Sequence, residues 1–210
     1  SEERKRCVIS NKGENGCGLI WECSRAAGLP CGFGLKFDTL PELSAKECDI
    51  LVIPGLKIVE KEYVSEIRRL YNEGVNLIAL SNVEGLEDIF CVEKSEDVIE
   101  IDTVEYNNEI EHILPTEARF EYKICGADIV VKANGHAAIM KTDRTLLINT
   151  DVLKLGNSNM SQFNPTGYNH FVGILAREAI QSEVSRLSSN LAKGENIGIT
   201  LFETEKGQKV

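Results

Sequence analysis

The chain has 210 residues, 42% hydrophobic and 27% charged, with a formal charge of −10. That length suits one α/β domain, or one domain with a piece of another, and buries a core without metals or disulfides. An acidic surface repels phosphate backbones and anionic membranes, and the densest basic cluster, Arg4, Lys5 and Arg6, is offset by Glu2 and Glu3, so neither nucleic acid nor membrane is expected as a partner.

No run approaches the roughly 20 apolar residues that span a bilayer. The charged start, Ser1 to Arg6, is unlike a signal peptide. The seven cysteines are Cys7, Cys17, Cys23, Cys31, Cys48, Cys91 and Cys125. Their odd number and the lack of any C-x-x-C pair argue against a disulfide framework or a zinc knuckle. Cys48 and Cys125 sit in apolar runs, where a thiol acts as a small hydrophobe. Free thiols in this number place the chain in a reducing compartment, the cytoplasm. Cys17, Cys23 and Cys31 are too irregularly spaced for a metal site, so no metal and no cofactor is expected.

In chain order, Cys7 to Ser10 reads as a short strand ending at Asn11-Lys12-Gly13, and Gly18 to Ala27 as a helix stopped by Gly28. Gly32 to Phe37 is a second strand. Asp49 to Gly55 is the clearest strand, a continuous apolar run closed by Pro54-Gly55. Glu60 to Glu73 follows as an amphipathic helix with Val64, Ile67, Leu70 and Tyr71 on one face, ended by Gly74. Val75 to Leu80 is another buried strand, Ser81-Asn82 its turn, and Glu84 to Phe90 a short helix. Near-continuous apolar strands separated by helices imply parallel pairing covered on both faces.

The pattern changes after Cys91. Val98 to Val104 alternates polar and apolar residues, and Phe120 to Cys125, Ala127 to Lys132, Ala137 to Lys141 and Thr145 to Asn149 are further strands. Asn134-Gly135 and Asp143-Arg144 are the turns between them. These four segments and Val98 to Val104 read as an antiparallel extension of the sheet. The acidic stretch from Glu93 to Glu111 reads as a solvated face. A long helix is expected over His170 to Leu191, with Phe171, Ile174, Leu175, Ala179 and Val184 along one side. Asn196 to Glu203 then reads as a fresh strand with half a hairpin, which is not stable alone. The expected organisation is an α/β domain over residues 1–195, with residues 196–210 opening a following β-domain.

The layout from Asp49 to Phe90 resembles the class I glutamine amidotransferase-like fold. There, a strand ending in Pro-Gly leads through a helix to a second strand, whose sharp elbow bears a glycine-flanked nucleophilic cysteine. Here the elbow falls on Leu80 or Ser81, without flanking glycines, and Cys91 lies beyond the short helix. The family's late His-x-Glu pair is also missing. His112 and His136 read as surface or turn residues, and His170 has no such partner. Without an activated nucleophile, acyl transfer has no mechanism.

A closer resemblance covers about residues 7 to 155. Cys48 to Leu56, the helix, and Glu73 to Leu80 look like the middle domain of family 42 β-galactosidases. The resemblance implies a three-layer, flavodoxin-like α/β fold that has lost the amidotransferase nucleophile. It also implies a larger bacterial polypeptide, with a catalytic barrel before this domain, a small β-domain after it, and a trimer interface built by it. Its partners would then be the other domains of its own chain and further copies in a homo-oligomer. Glycoside hydrolysis within the chain itself is excluded, since a barrel of about 250 residues does not fit.

The expected function is therefore a non-catalytic accessory and oligomerisation domain, with no catalytic residues. Two alternatives stand beside it. One is a divergent amidotransferase-like hydrolase using Ser81 or Cys91. The other is a small-ligand domain, whose crevice at the carboxyl ends of the strands would be lined by Asn11, Gly55, Ser81 and Asn82. Gly13, Gly16 and Gly18 do not have a phosphate-loop spacing.

Overall fold

Apolar runs too hydrophobic to face water on either side dictate the centre of this molecule. A computed structural model describes residues 7–9, 33–35, 40–46, 48–53, 61–153, 175 and 178–179. Its first elements are β1 (Cys7–Ile9), β2 (Phe33–Leu35), β3 (Ile50–Ile53), α1 (Lys61–Asn72), β4 (Asn76–Leu80) and α2 (Glu87–Phe90). Strands β5 (Val92–Ser95), β6 (Ile99–Tyr106), β7 (Glu109–Ala118) and β8 (Glu121–Ile124) follow. Then come β9 (Asp128–Ala133), β10 (His136–Lys141), β11 (Thr145–Ile148) and the one-turn helix α3 (Thr150–Leu153).

Nine of these strands form one mixed sheet in the order β2-β1-β3-β4-β11-β10-β9-β6-β7. The first five pair in parallel, and from β11 to β7 every pairing is antiparallel. Two expectations change here. Thr145–Ile148 does not belong with the antiparallel extension on both sides: it pairs in parallel with β4 and joins the two halves. All four of its residues are buried, the mark of a strand covered on both faces. Glu121–Ile124 leaves the main sheet and pairs with β5 in a separate two-stranded sheet.

Alternation along β3 and β4 splits the core in two. Ile50, Val52, Ile78 and Leu80 face a cluster closed by Val152, Leu153, Leu175 and Ala179. Leu51, Ile53, Leu77 and Ala79 face a second, closed by Tyr63, Ile67 and Leu70 of α1 and by Phe90. Both sheet faces are thus dry around β3 and β4, as parallel pairing requires. Leu175 and Ala179 are helical and buried; the rest of the helix expected over residues 170–191 lies outside the described residues, as do the helix over 18–27 and the strand over 196–203.

Helix α1 stops where the sequence placed its end. Gly74 stands at φ +110°, and Val75 N donates to the Leu70 carbonyl at 3.0 Å, the closing bond of a left-handed helix cap. Arg69 ties this helix to the short turn Leu40–Glu42 by donating to the Leu40 and Leu43 carbonyls at 3.0 and 2.7 Å. Arg68 grips Asp88 with both guanidinium nitrogens, at 2.8 and 2.5 Å, and this holds the Asp88 carboxyl below its ordinary range. Both side chains are exposed, so Asp88→Asn is expected to cost less than about 1 kcal/mol. The lowered value makes that contribution present near neutral pH and lost as the pH falls through the carboxylate range. Urea titrations of both proteins at neutral and acidic pH check this, the difference closing in acid.

The Asn134-Gly135 turn carries a further constraint. Asn134 adopts φ +47° and accepts from Asp102 N, Thr103 N and the Thr103 hydroxyl, at 3.0, 2.7 and 2.8 Å, through one side-chain oxygen. Asn134→Gly keeps the backbone angle but loses these bonds, and about 1 kcal/mol of stability by denaturant titration is the expected result.

Strands β5 and β7 carry part of the acidic stretch that the sequence presents as a solvated face, and Glu93, Glu109 and Glu111 are exposed there. In the sheet of described strands β7 lies at the edge, with Pro115 and exposed Glu109, Glu111 and Glu117. Charges and proline are what an edge strand tolerates and a central one does not.

Candidate functional site

The corner at the carboxyl ends of β4 and β11 is built around Ser81. Of the two elbow positions the sequence allowed, Leu80 is buried in the core, and Ser81 carries the turn. Its φ of +59° lies in the left-handed region that non-glycine residues seldom occupy. The turn is tight: Ser81 N donates to the Ile148 carbonyl at 2.8 Å and Asn82 N to the Leu80 carbonyl at 2.8 Å. Asn82 then caps the following turn, its side-chain oxygen accepting Glu84 N at 3.1 Å.

Tyr122 of β8 props this elbow. Its hydroxyl donates to the Ser81 carbonyl at 2.7 Å and accepts Val83 N at 3.1 Å. Burial pushes the Tyr122 phenol well above the ordinary tyrosine range, so it stays a neutral donor. Phe120 meets the ring edge-on, centroids 5.7 Å apart.

Two residues following β11 complete the corner. The Thr150 hydroxyl is hydrogen-bonded to the Ser81 hydroxyl. Since Ile148 pairs with Leu80, the next residues, Asn149 and Ser81, are neighbours across the ladder. Asn149 is fully buried; its side-chain oxygen accepts Asp151 N at 3.2 Å, while its Nδ2 has no hydrogen-bond partner. The Asp151 carboxylate accepts Arg119 N at 2.5 Å.

An activated serine needs a neighbour that takes its proton. Among the described residues, no imidazole or carboxylate is hydrogen-bonded to Ser81 Oγ; a threonine hydroxyl is. His112 is exposed on the edge strand β7. His136 does not sit in a turn, as its sequence context implied: it opens β10, and its Nδ1 contacts the Glu121 carboxylate. Cys91 follows α2 in a left-handed cap at φ +54°, its thiol directed at the Asp88 carbonyl.

Among the described residues, the elbow therefore has a left-handed turn of the kind a nucleophile occupies, without a proton acceptor on the Ser81 hydroxyl. Of the crevice residues expected from sequence, Ser81 and Asn82 are adjacent and half-buried here, while Asn11 and Gly55 lie outside the described residues, as does His170. Tyr122, Asn149 and Thr150 were not anticipated. The available signal for the last two was their position, directly after a buried strand that ends beside Ser81.

Among the described residues no three His, Cys, Asp or Glu side chains gather as a metal-binding group. Cys48 is buried and Cys125 is exposed, against the expectation that both act as small core hydrophobes. Among the described residues no helix is long and apolar enough to cross a membrane.

Neither a protein-family model nor a curated protein matches the sequence. Solved structures do match the fold. The β-galactosidase from Bacillus circulans sp. alkalophilus superposes with a TM-score of 0.58 at 6% identity, over 95% of this chain and 34% of its own. The α-L-fucosidase isoenzyme 2 from Paenibacillus thiaminolyticus gives 0.56 at 7% identity, over 87% and 34%. A GH42 β-galactosidase from G. stearothermophilus gives 0.50 at 11% identity, over 70% and 27%. This chain thus spans about a third of the length of the solved chains it matches. At these identities the likeness is one of fold: a mixed α/β sheet shared with part of several glycoside hydrolases.

Proposed function

We propose that this chain is a non-catalytic accessory domain of a larger glycoside-hydrolase polypeptide, contributing to contacts between its subunits. The observation that carries the reading is the Ser81 elbow, where a threonine hydroxyl stands in the position a base would have to take. The fold shared with a third of each of several glycoside hydrolases supports the larger polypeptide. Within this reading the domain is a three-layer, flavodoxin-like relative of the class I amidotransferases. Residues 1–195 form it, residues 196–210 open a β-domain, and it works in the cytoplasm as part of a homo-oligomer, a trimer by the family resemblance. The matched enzymes are named for different sugars, so the fold leaves the sugar open.

Ser81→Ala in the full-length polypeptide tests the absence of a nucleophile. Glycosidase and glutaminase activities are expected to stay within twofold of the parent. A loss of more than tenfold in either, with the variant still folded, contradicts the reading.

A second reading, a small-ligand site at the strand ends, has one observation in its favour. The Asn149 amide is a buried donor without a partner, next to Ser81 in register, and such groups usually mark a water or a ligand. Calorimetric titration with galactose is the direct check. Measurable heat that Asn149→Leu abolishes would favour this reading, and no heat would leave the accessory reading standing.

A further inference from the structure

We propose that the recess beside Arg144 binds a small organic monocarboxylate, with the Arg144 guanidinium as its anchor. The inference is independent of the accessory-domain reading and of the Ser81 corner. Arg144 directly precedes β11 and bonds to Asn76, the first residue of β4. The recess therefore lies at the opposite end of both strands from Ser81.

This guanidinium is held in place by uncharged groups. It stacks on the Tyr71 ring, 4.1 Å from the centroid. Its Nη2 donates to the Tyr71 and Val75 carbonyls at 2.5 and 2.9 Å, and its Nε to Asn76 Oδ1 at 3.4 Å. The turn that carries it is tied as well, Thr142 Oγ1 accepting Arg144 N at 3.3 Å and Thr145 N at 3.1 Å. Arg68 and Arg69 hold the carboxylates of Asp88 and Glu73. Among the described residues Arg144 has no carboxylate partner and its Nη1 no hydrogen bond, in a chain with 33 acidic residues. A cation already fixed, with donors unspent, takes an anion without first losing its own side-chain freedom.

The surroundings supply room and select the class of anion. Arg144, Asn72 and Ile89 line an open recess of about 470 Å³, within the range of about 300–1,000 Å³ usual for small-molecule sites. The exposed Asn72 amide is available as a second donor, and half-buried Ile89 offers an apolar wall. Arg68 and Asp88 also face the recess, but each neutralises the other. Exposed Asp143 is the remaining charge there, and it opposes a doubly charged phosphate more than a single carboxylate. One fixed cation, one apolar wall and one nearby negative charge suit a carboxylate on a short alkyl chain.

The test is to titrate the protein with sodium butyrate against sodium chloride at constant ionic strength, following backbone amides by NMR. Saturable shifts are expected at Tyr71, Asn72 and Thr142 to Arg144, and none with chloride. Arg144→Gln should weaken binding by about tenfold or more, as the loss of a charged hydrogen bond does. That change also removes the bonds to α1, so Asp143→Asn, in an exposed turn, gives a second reading. With its charge gone, butyrate should bind about twofold tighter or more. Shifts no more saturable than those with chloride would overturn the proposal. So would a folded Arg144→Gln that binds as the parent does, an Asp143→Asn that binds no tighter, or sodium phosphate binding the parent more tightly than butyrate.

Discussion

Tyr122→Phe is expected to lower the unfolding free energy by about 1–3 kcal/mol, although it removes a single oxygen atom. That oxygen accepts Val83 N and donates to the Ser81 carbonyl, and Val83 is buried. A phenyl ring fills the same space but leaves two polar backbone groups without partners, and their desolvation is the cost. Urea titration of both proteins checks it; a difference under about 0.3 kcal/mol would mean that Tyr122 does not hold the elbow.

The same hydroxyl gives a pH signature. Burial raises the Tyr122 pKa above the ordinary value of 10.0, so above that pH the unfolded chain releases a proton that the folded chain retains. Stability from this group is fully present below about pH 10 and is lost as the pH rises toward the folded value. The parent should therefore lose stability as the pH rises above about 10 more steeply than Tyr122→Phe does.

A larger loss is expected from Ile139→Ala, about 2–5 kcal/mol. Ile139 is fully buried at the middle of β10, where it pairs with Ile148 on one side and Val131 on the other. Its strand pairs with β11, which joins the parallel and antiparallel halves, and the cavity opens in a cluster containing residues of both. If the halves form one cooperative unit, amides of β4 and β6 lose hydrogen-exchange protection together. Protection kept in β4 while β6 and β9 exchange would instead mean two separately folding parts.

The sequence made the central elements visible because their apolar pattern has one physical solution. Ile50–Ile53 and Asn76–Leu80 are buried on nearly every residue, and α1 presents Ile67 and Leu70 at helical spacing. Strands β5 and β7 were hidden because their charges reflect an edge or a two-stranded ribbon, where solvent replaces the second neighbour. Thr145–Ile148 had the continuous apolar run of a parallel strand, but its position after two hairpin turns masked it.

The candidate corner divides in the same way. Ser81 and Asn82 were legible because a turn must follow a buried strand. The groups that define its chemistry were not, since Tyr122 and Thr150 arrive from 41 and 69 residues away. Only the strand register brings them to Ser81. The positive φ at Ser81 was also illegible, because the glycines that would announce such a turn are absent and Tyr122 holds the carbonyl from outside.

The accessory-domain account stands most directly on subunit assembly. Light scattering coupled to size-exclusion chromatography of the full-length polypeptide measures it. The account predicts a mass that is a multiple of the single chain, and a single-chain mass at micromolar concentration would contradict it.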